Sequence, residues 1–139
     1  MKKTIIVLLS ALIVFALSAC QKAAEPSAVP DKEEIVKKAT GYFEEMRSGD
    51  FETIFNDLPD SVKKQTKSAK TIQNSWNEAA EKAGGLLEGT KPEVSSYQPE
   101  HSEQFRVEFV IPCEKADFKV FINFDSNGTL YNYVIWKNN

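Results

Sequence analysis

Apolar positions follow three different rules along this chain: a dense block at the N-terminus, helix-spaced stripes through the middle, and strict alternation near the end. In the middle section Ile35, Ala39, Tyr42 or Phe43, and Met46 recur at helical spacing, with Lys37, Lys38, Glu44 and Glu45 largely on the other side. Asp31 is a natural N-cap, and Glu33 and Glu34 follow in the first turn, where the helix dipole favours negative charge. Ser48-Gly49-Asp50-Phe51 ends that helix, because glycine suits the left-handed C′ position, and Asp50 can cap a short second helix carrying Phe51, Ile54 and Phe55. Leu58-Pro59-Asp60 reads as another break and restart. A further helix runs from about Ser68 or Thr71 to Ala83 on the stripe Ile72, Trp76, Ala79, Ala80, Ala83, and Gly84-Gly85 stops it.

Beyond the glycines the period changes to two. Residues 86–97, interrupted by Gly89 and Pro92, predict a first strand with an irregular start, and residues 98–103, with Pro99 and His101, predict a loop. Phe105, Val107, Phe109 and Ile111 alternate, as do Phe118, Val120, Ile122 and Phe124, and a last run spans 130–136. Asp125-Ser126-Asn127-Gly128 between the last two runs is a hairpin turn, since Asn and Gly tolerate positive φ. In the last run Leu130, Val134 and Trp136 fall on one face and Tyr131, Tyr133 and Ile135 on the other, so both faces are apolar or amphipathic. Such a strand is covered on both sides or lines a cavity. Phe121 extends the same pattern to the neighbouring strand. Helices first and an antiparallel meander after is the α+β arrangement, with N-terminal helices packed on a curved antiparallel sheet of about four strands.

The N-terminal block carries a different message. Lys2 and Lys3 precede an apolar stretch from about Ile5 to Leu17, which leads through small residues into Leu17-Ser18-Ala19-Cys20. That is the order of a secretory signal, and the last four residues resemble a bacterial lipobox. The expectation is a signal peptide over residues 1–19, a lipid on Cys20, and a chain exported to the outer face of the bacterial cell membrane. Two acyl chains on one residue suffice for stable anchoring. A membrane-spanning anchor would need about 20 apolar residues, more than this stretch offers. Ordinary secretion with cleavage near Ala19 would leave Cys20 as a bare terminal thiol. Residues 20–30, small, polar and punctuated by Pro26 and Pro30, read as a tether, and residues 31–139 as one α+β domain.

Composition narrows the activity further. Losing residues 1–19 with Lys2 and Lys3 takes the formal net charge from −3 to −5. Nucleic-acid binding is disfavoured, because it needs clustered Lys and Arg to release counterions, and the lysines here are interleaved with glutamates. With Cys20 acylated, Cys113 has no partner, and it continues the face 105, 107, 109, 111 of its strand as a small hydrophobe. His101 lies in the polar stretch Pro99-Glu100-His101-Ser102-Glu103, the setting of a solvated histidine, and Ser102 lacks the base and orienting group a nucleophile needs. No metal is expected: one histidine and one cysteine make no ligand cluster, and Trp136 stands where a calcium loop begun at Asp125 would need its twelfth-position Glu. Gly84-Gly85 follows a helix rather than opening one, so it cradles no phosphate. No catalytic residue and no cofactor are expected.

The order and spacing of several elements resemble the bacterial domain-of-unknown-function family 3887, which is similar in fold to nuclear transport factor 2. The carriers are the first amphipathic helix, Gly49-Asp50-Phe51, Trp76 followed by Gly85-Leu86, and Phe124-Asp125-Ser126-Asn127-Gly128-Thr129-Leu130 with Trp136, over roughly residues 32–136. The resemblance implies a helical layer and a bent sheet enclosing a conical pocket, with no chemistry to carry over. Candidates for pocket lining are Tyr42, Trp76, Phe121, Tyr131, Tyr133 and Trp136. The expected role is a non-catalytic ligand-binding or accessory domain on a lipoprotein, whose partners are membrane lipid through Cys20 and a small molecule, a protein or a second copy of itself. A cone-fold enzyme using a pocket carboxylate, or a module that dimerises through the outward face of its last strands, are the alternatives.

Overall fold

Asp31 opens α1 (Lys32–Ser48): it sits in extended backbone and its Oδ1 accepts the Glu33 N–H at 3.4 Å. Gly49, at φ +95°, closes the helix, and Asp50 caps α2 (Phe51–Asp57) by accepting from the Glu52 and Thr53 N–H groups at 3.1 and 3.2 Å and from the Thr53 hydroxyl at 2.9 Å. Pro59 starts α3 (Asp60–Thr66), and α4 (Ala69–Ala83) ends at Gly84. The computed structural model describes residues 30–86, 93–100 and 104–136, so Cys20, the tether up to residue 29, His101 and Ser102 lie outside the description.

The strands are β1 (Glu93–Glu100), β2 (Gln104–Ile111), β3 (Phe118–Asp125) and β4 (Leu130–Trp136), all antiparallel and ordered β1-β2-β3-β4. The α+β class expected from the sequence holds. The helices cover one face of the sheet. From them Ile35, Ala39, Phe43, Met46, Phe51, Ile54, Ile72, Trp76, Ala79 and Ala83 are buried, and they meet the buried stripes Phe105 to Ile111 and Phe118 to Phe124. At its centre Trp76 packs edge-on against Phe118 with ring centroids 4.7 Å apart, Phe43 stacks on Phe109 at 4.8 Å, and Phe43 and Trp76 meet at 5.6 Å. Each such side chain contributes about 1.5–3 kcal/mol by burial. The C-terminus of α4 is tied to the segment between β2 and β3: the Lys115 N–H donates to the Ala83 carbonyl at 2.9 Å, and a Cβ on Gly84 would come within 3.1 Å of the Lys115 backbone nitrogen.

Four local expectations change. Residues 98–100, expected in a loop, belong to β1: Pro99 pairs with Phe105 and Glu100 with Gln104, leaving only 101–103 to connect the strands. Proline is tolerated there because β1 is an edge, where a missing N–H costs no ladder bond. Cys113 lies past the end of β2 rather than in it, half-buried against the core, with its Sγ 3.5 Å from the Ile111 carbonyl. Pro112, with no N–H, ends the strand ahead of it. The turn takes positive φ only at Gly128 (+73°), and Asp125 Oδ1 accepts from the Asn127 and Thr129 N–H groups at 2.9 Å each.

The faces of β4 also change. Phe124 pairs with Leu130 but Asn123 pairs with Asn132, so Tyr131 is the extra residue of a β-bulge. The bulge reverses the alternation: Leu130 and Ile135 are buried and Tyr133 packs against the core, whereas Tyr131, Val134 and Trp136 are exposed. Leu130 therefore parts from Val134 and Trp136, with which simple alternation grouped it.

Candidate functional site

The aromatic centre of the helix–sheet interface is filled, and the open space lies one helix face away. Two adjoining hollows, about 310 and about 250 Å³, share Lys38, Tyr42 and Asp57. The larger extends over Phe124 and the hairpin residues Gly128, Thr129 and Leu130, and the smaller over Gly41, Glu45 and Thr53. Together they form a groove between α1, α2 and the β3–β4 turn. Its size is at the low end for small-molecule sites, which start near 300 Å³.

Helix periodicity builds the long wall. Lys38, Tyr42 and Glu45 stand three or four residues apart in α1, hence on one side, while the neighbouring row Ile35, Ala39, Phe43 and Met46 enters the core. Gly41 lies between them on the groove wall with nothing within 4 Å of the Cβ it lacks, in ordinary helical backbone. A mid-helix glycine costs about 0.5–1 kcal/mol relative to alanine. Among the described residues, no packing requires Gly41.

The groove is polar and mostly acidic. The Tyr42 hydroxyl donates to Asp57 Oδ2 at 2.7 Å, and burial together with Asp57 raises the phenol well above its ordinary value, so Tyr42 remains a donor. Glu45 is held above the usual carboxylate range, first by burial and then by the charges of Asp50 and Asp57, and its Oε2 is buried with no hydrogen-bond partner. Asp50 is lowered by its bonds from Thr53 and so stays ionised. Lys38 closes the other end, bonded to the Gly128 carbonyl at 3.3 Å and paired with Glu34 at 2.9 Å. The arrangement presents acceptors at Asp57 and Glu45 and a donor at Lys38, which suits a small polar ligand with an amine or several hydroxyls. Among the described residues no group of His, Cys, Asp and Glu could hold a metal ion, and no helix is long and apolar enough to cross a membrane.

Of the six candidates for pocket lining, only Tyr42 lines this groove. Trp76 is 5% exposed at the centre of the aromatic core. Tyr133 sits over the helical layer, its hydroxyl raised by burial and bonded to Thr66. Phe121 lies on the outer face beneath Arg106, whose guanidinium carbon is 5.4 Å from the ring centroid and whose Nε donates to Asn123 at 2.9 Å. Trp136 shares that outer face, opposite Lys119, and Tyr131 is exposed at the bulge. The sequence reading missed Lys38, Gly41, Glu45, Asp57 and the residues 128–130. Gly41 carried a signal, as an isolated glycine inside a helical pattern. Compared with family models, curated proteins and solved structures, the chain matches none.

Proposed function

We propose that this chain is an exported lipoprotein, acylated on Cys20 and held at the outer face of the cell membrane, whose domain binds a small polar ligand in the groove beside Tyr42 and Asp57. The anchor rests on Lys2, Lys3, the apolar stretch and the run Leu17-Ser18-Ala19-Cys20. The observation that carries the binding reading is Gly41: it weakens α1 with no packing return and stands on the wall of an unfilled polar groove. The domain is taken to be of the cone-shaped kind similar to nuclear transport factor 2, and a helical layer over one face of a meander is compatible with that.

Mass spectrometry of the protein from its native host tests the anchor: a diacylated Cys20 at the N-terminus is expected, and an unmodified Cys20 or an intact Met1 overturns it. A thermal-shift screen with small amines, amino acids and polyols tests the groove. A ligand that raises Tm for the native protein and fails to do so for Asp57→Asn supports the reading, and a ligand equally effective on both variants overturns it.

One observation favours a second reading, a carboxylate enzyme. Glu45 lines the groove with its Oε2 buried and without a hydrogen-bond partner among the described residues, and burial raises its pKa. In that case Glu45 acts as general acid or base toward a ligand seated against Tyr42. Glu45→Gln would then abolish turnover while leaving ligand binding in place.

A further inference from the structure

We infer that the tether joins the domain at the rim of the groove, so that in the acylated protein the groove end faces the bilayer and residues 112–117 point away from it. This rests on the lipoprotein reading above. Pro30, the last tether residue, packs on the β3–β4 turn: a Cβ placed on Gly128 would lie 3.2 Å from Pro30 Cγ and 3.1 Å from Ile35 Cδ1. Gly128 is itself a groove residue, and its carbonyl accepts from Lys38. The Asp31 cap then turns the chain directly into α1, so the point of attachment is fixed by Pro30 on Gly128 and by the cap that follows it.

Covalent geometry sets the rest. The ten residues 21–30 span at most about 35 Å in any conformation, so the groove rim can be no further than that from the lipidated residue. The eight residues of β3 carry the chain about 26 Å from the hairpin turn to the segment 112–117 at the opposite end of the sheet. The processed chain's net charge of −5 supplies no attraction to anionic lipid, so no net electrostatic pull competes with the point of attachment. The groove end therefore stays within tether reach of the lipid–water interface, and the segment 112–117 can lie about 26 Å further out.

The test uses the full chain, acylated in bacterial cells, in a Cys113→Ala background with a fluorophore on Ser126→Cys or on Glu114→Cys. Both positions are exposed, at opposite ends of β3. In phosphatidylcholine vesicles containing headgroup spin-labelled lipid, quenching at 126 is expected to exceed that at 114 at least twofold. Flotation with the vesicles but equal or reversed quenching overturns the orientation and leaves the anchor standing. Failure to float, with Cys20 unmodified by mass, overturns both. Asn127→Cys and Lys115→Cys supply a second pair if either first variant misfolds.

Discussion

Phe43 and Tyr42 are adjacent aromatic residues on one helix with opposite surroundings. Phe43 is fully buried between Phe109 and Trp76, whereas Tyr42 keeps its ring near Phe124 and its hydroxyl on Asp57 at the edge of open space. The core side of α1 is apolar and closely packed. The groove side holds a glycine, an unbonded carboxylate oxygen and a half-buried phenol. One side stabilises the fold and the other leaves interactions unmade, as binding sites commonly do.

The largest effect is expected on the core side. Trp76→Ala should destabilise the domain by about 3–5 kcal/mol, a large part of the 5–15 kcal/mol a domain usually has. Urea denaturation followed by circular dichroism measures it, and a loss near zero would mean the aromatic centre is not the core. The groove side should respond in the opposite direction. Gly41→Ala should stabilise by roughly 0.5–1 kcal/mol, since the backbone is helical and the space is open, while weakening whatever the groove binds. A destabilised alanine variant would show that Gly41 is there for the fold. Tyr42→Phe should cost at most about 1 kcal/mol, the worth of one hydrogen bond, with its larger effect on ligand affinity by calorimetry.

Glu45 sharpens the contrast through pH. Its pKa is raised on folding, so the folded chain holds the proton more tightly than the unfolded one, and stability falls as pH rises through the interval between the two values. Glu45→Gln should therefore have the higher Tm at neutral pH, and the advantage should vanish below the unfolded glutamate value. Asp50 behaves oppositely: its pKa is lowered, so its cap is intact above the ordinary aspartate range and is lost as the pH drops through the folded value. Melting curves at several pH values separate the two. The smallest effect belongs to an exposed helix position, where Lys64→Ala should stay within about 0.5 kcal/mol of the native protein by the same denaturation measurement.

What was legible in the sequence was whatever depends on near neighbours. Of the stripe Ile72, Trp76, Ala79, Ala80, Ala83 all but the half-buried Ala80 proved buried, as did the alternation of β2, because periodicity places side chains on one face whatever lies opposite. Asp31, Gly49, Asp50 and Gly84 marked helix ends because caps and left-handed turns are satisfied locally. Pro99 misled because its meaning depends on whether the strand is an edge, which the order of the sheet decides. Tyr131 misled because a one-residue bulge reverses every later face and is visible only in the pairing with β3. The groove escaped because Lys38, Asp57 and Gly128 come from three separate segments, and Tyr42 was the only aromatic candidate to reach it.

The sequence by itself thus determined the α+β class, the helix ends marked by Asp31, Gly49, Asp50 and Gly84, and the inner face of the central strands, and it holds the lipobox-like run that motivates the anchor. Only the tertiary structure decided which side of α1 stays open, that Trp76 fills the core, and that Pro30 joins the domain beside the groove. The physical reason is range. Capping and periodicity act within a few residues, whereas a groove is the space left where distant segments fail to meet.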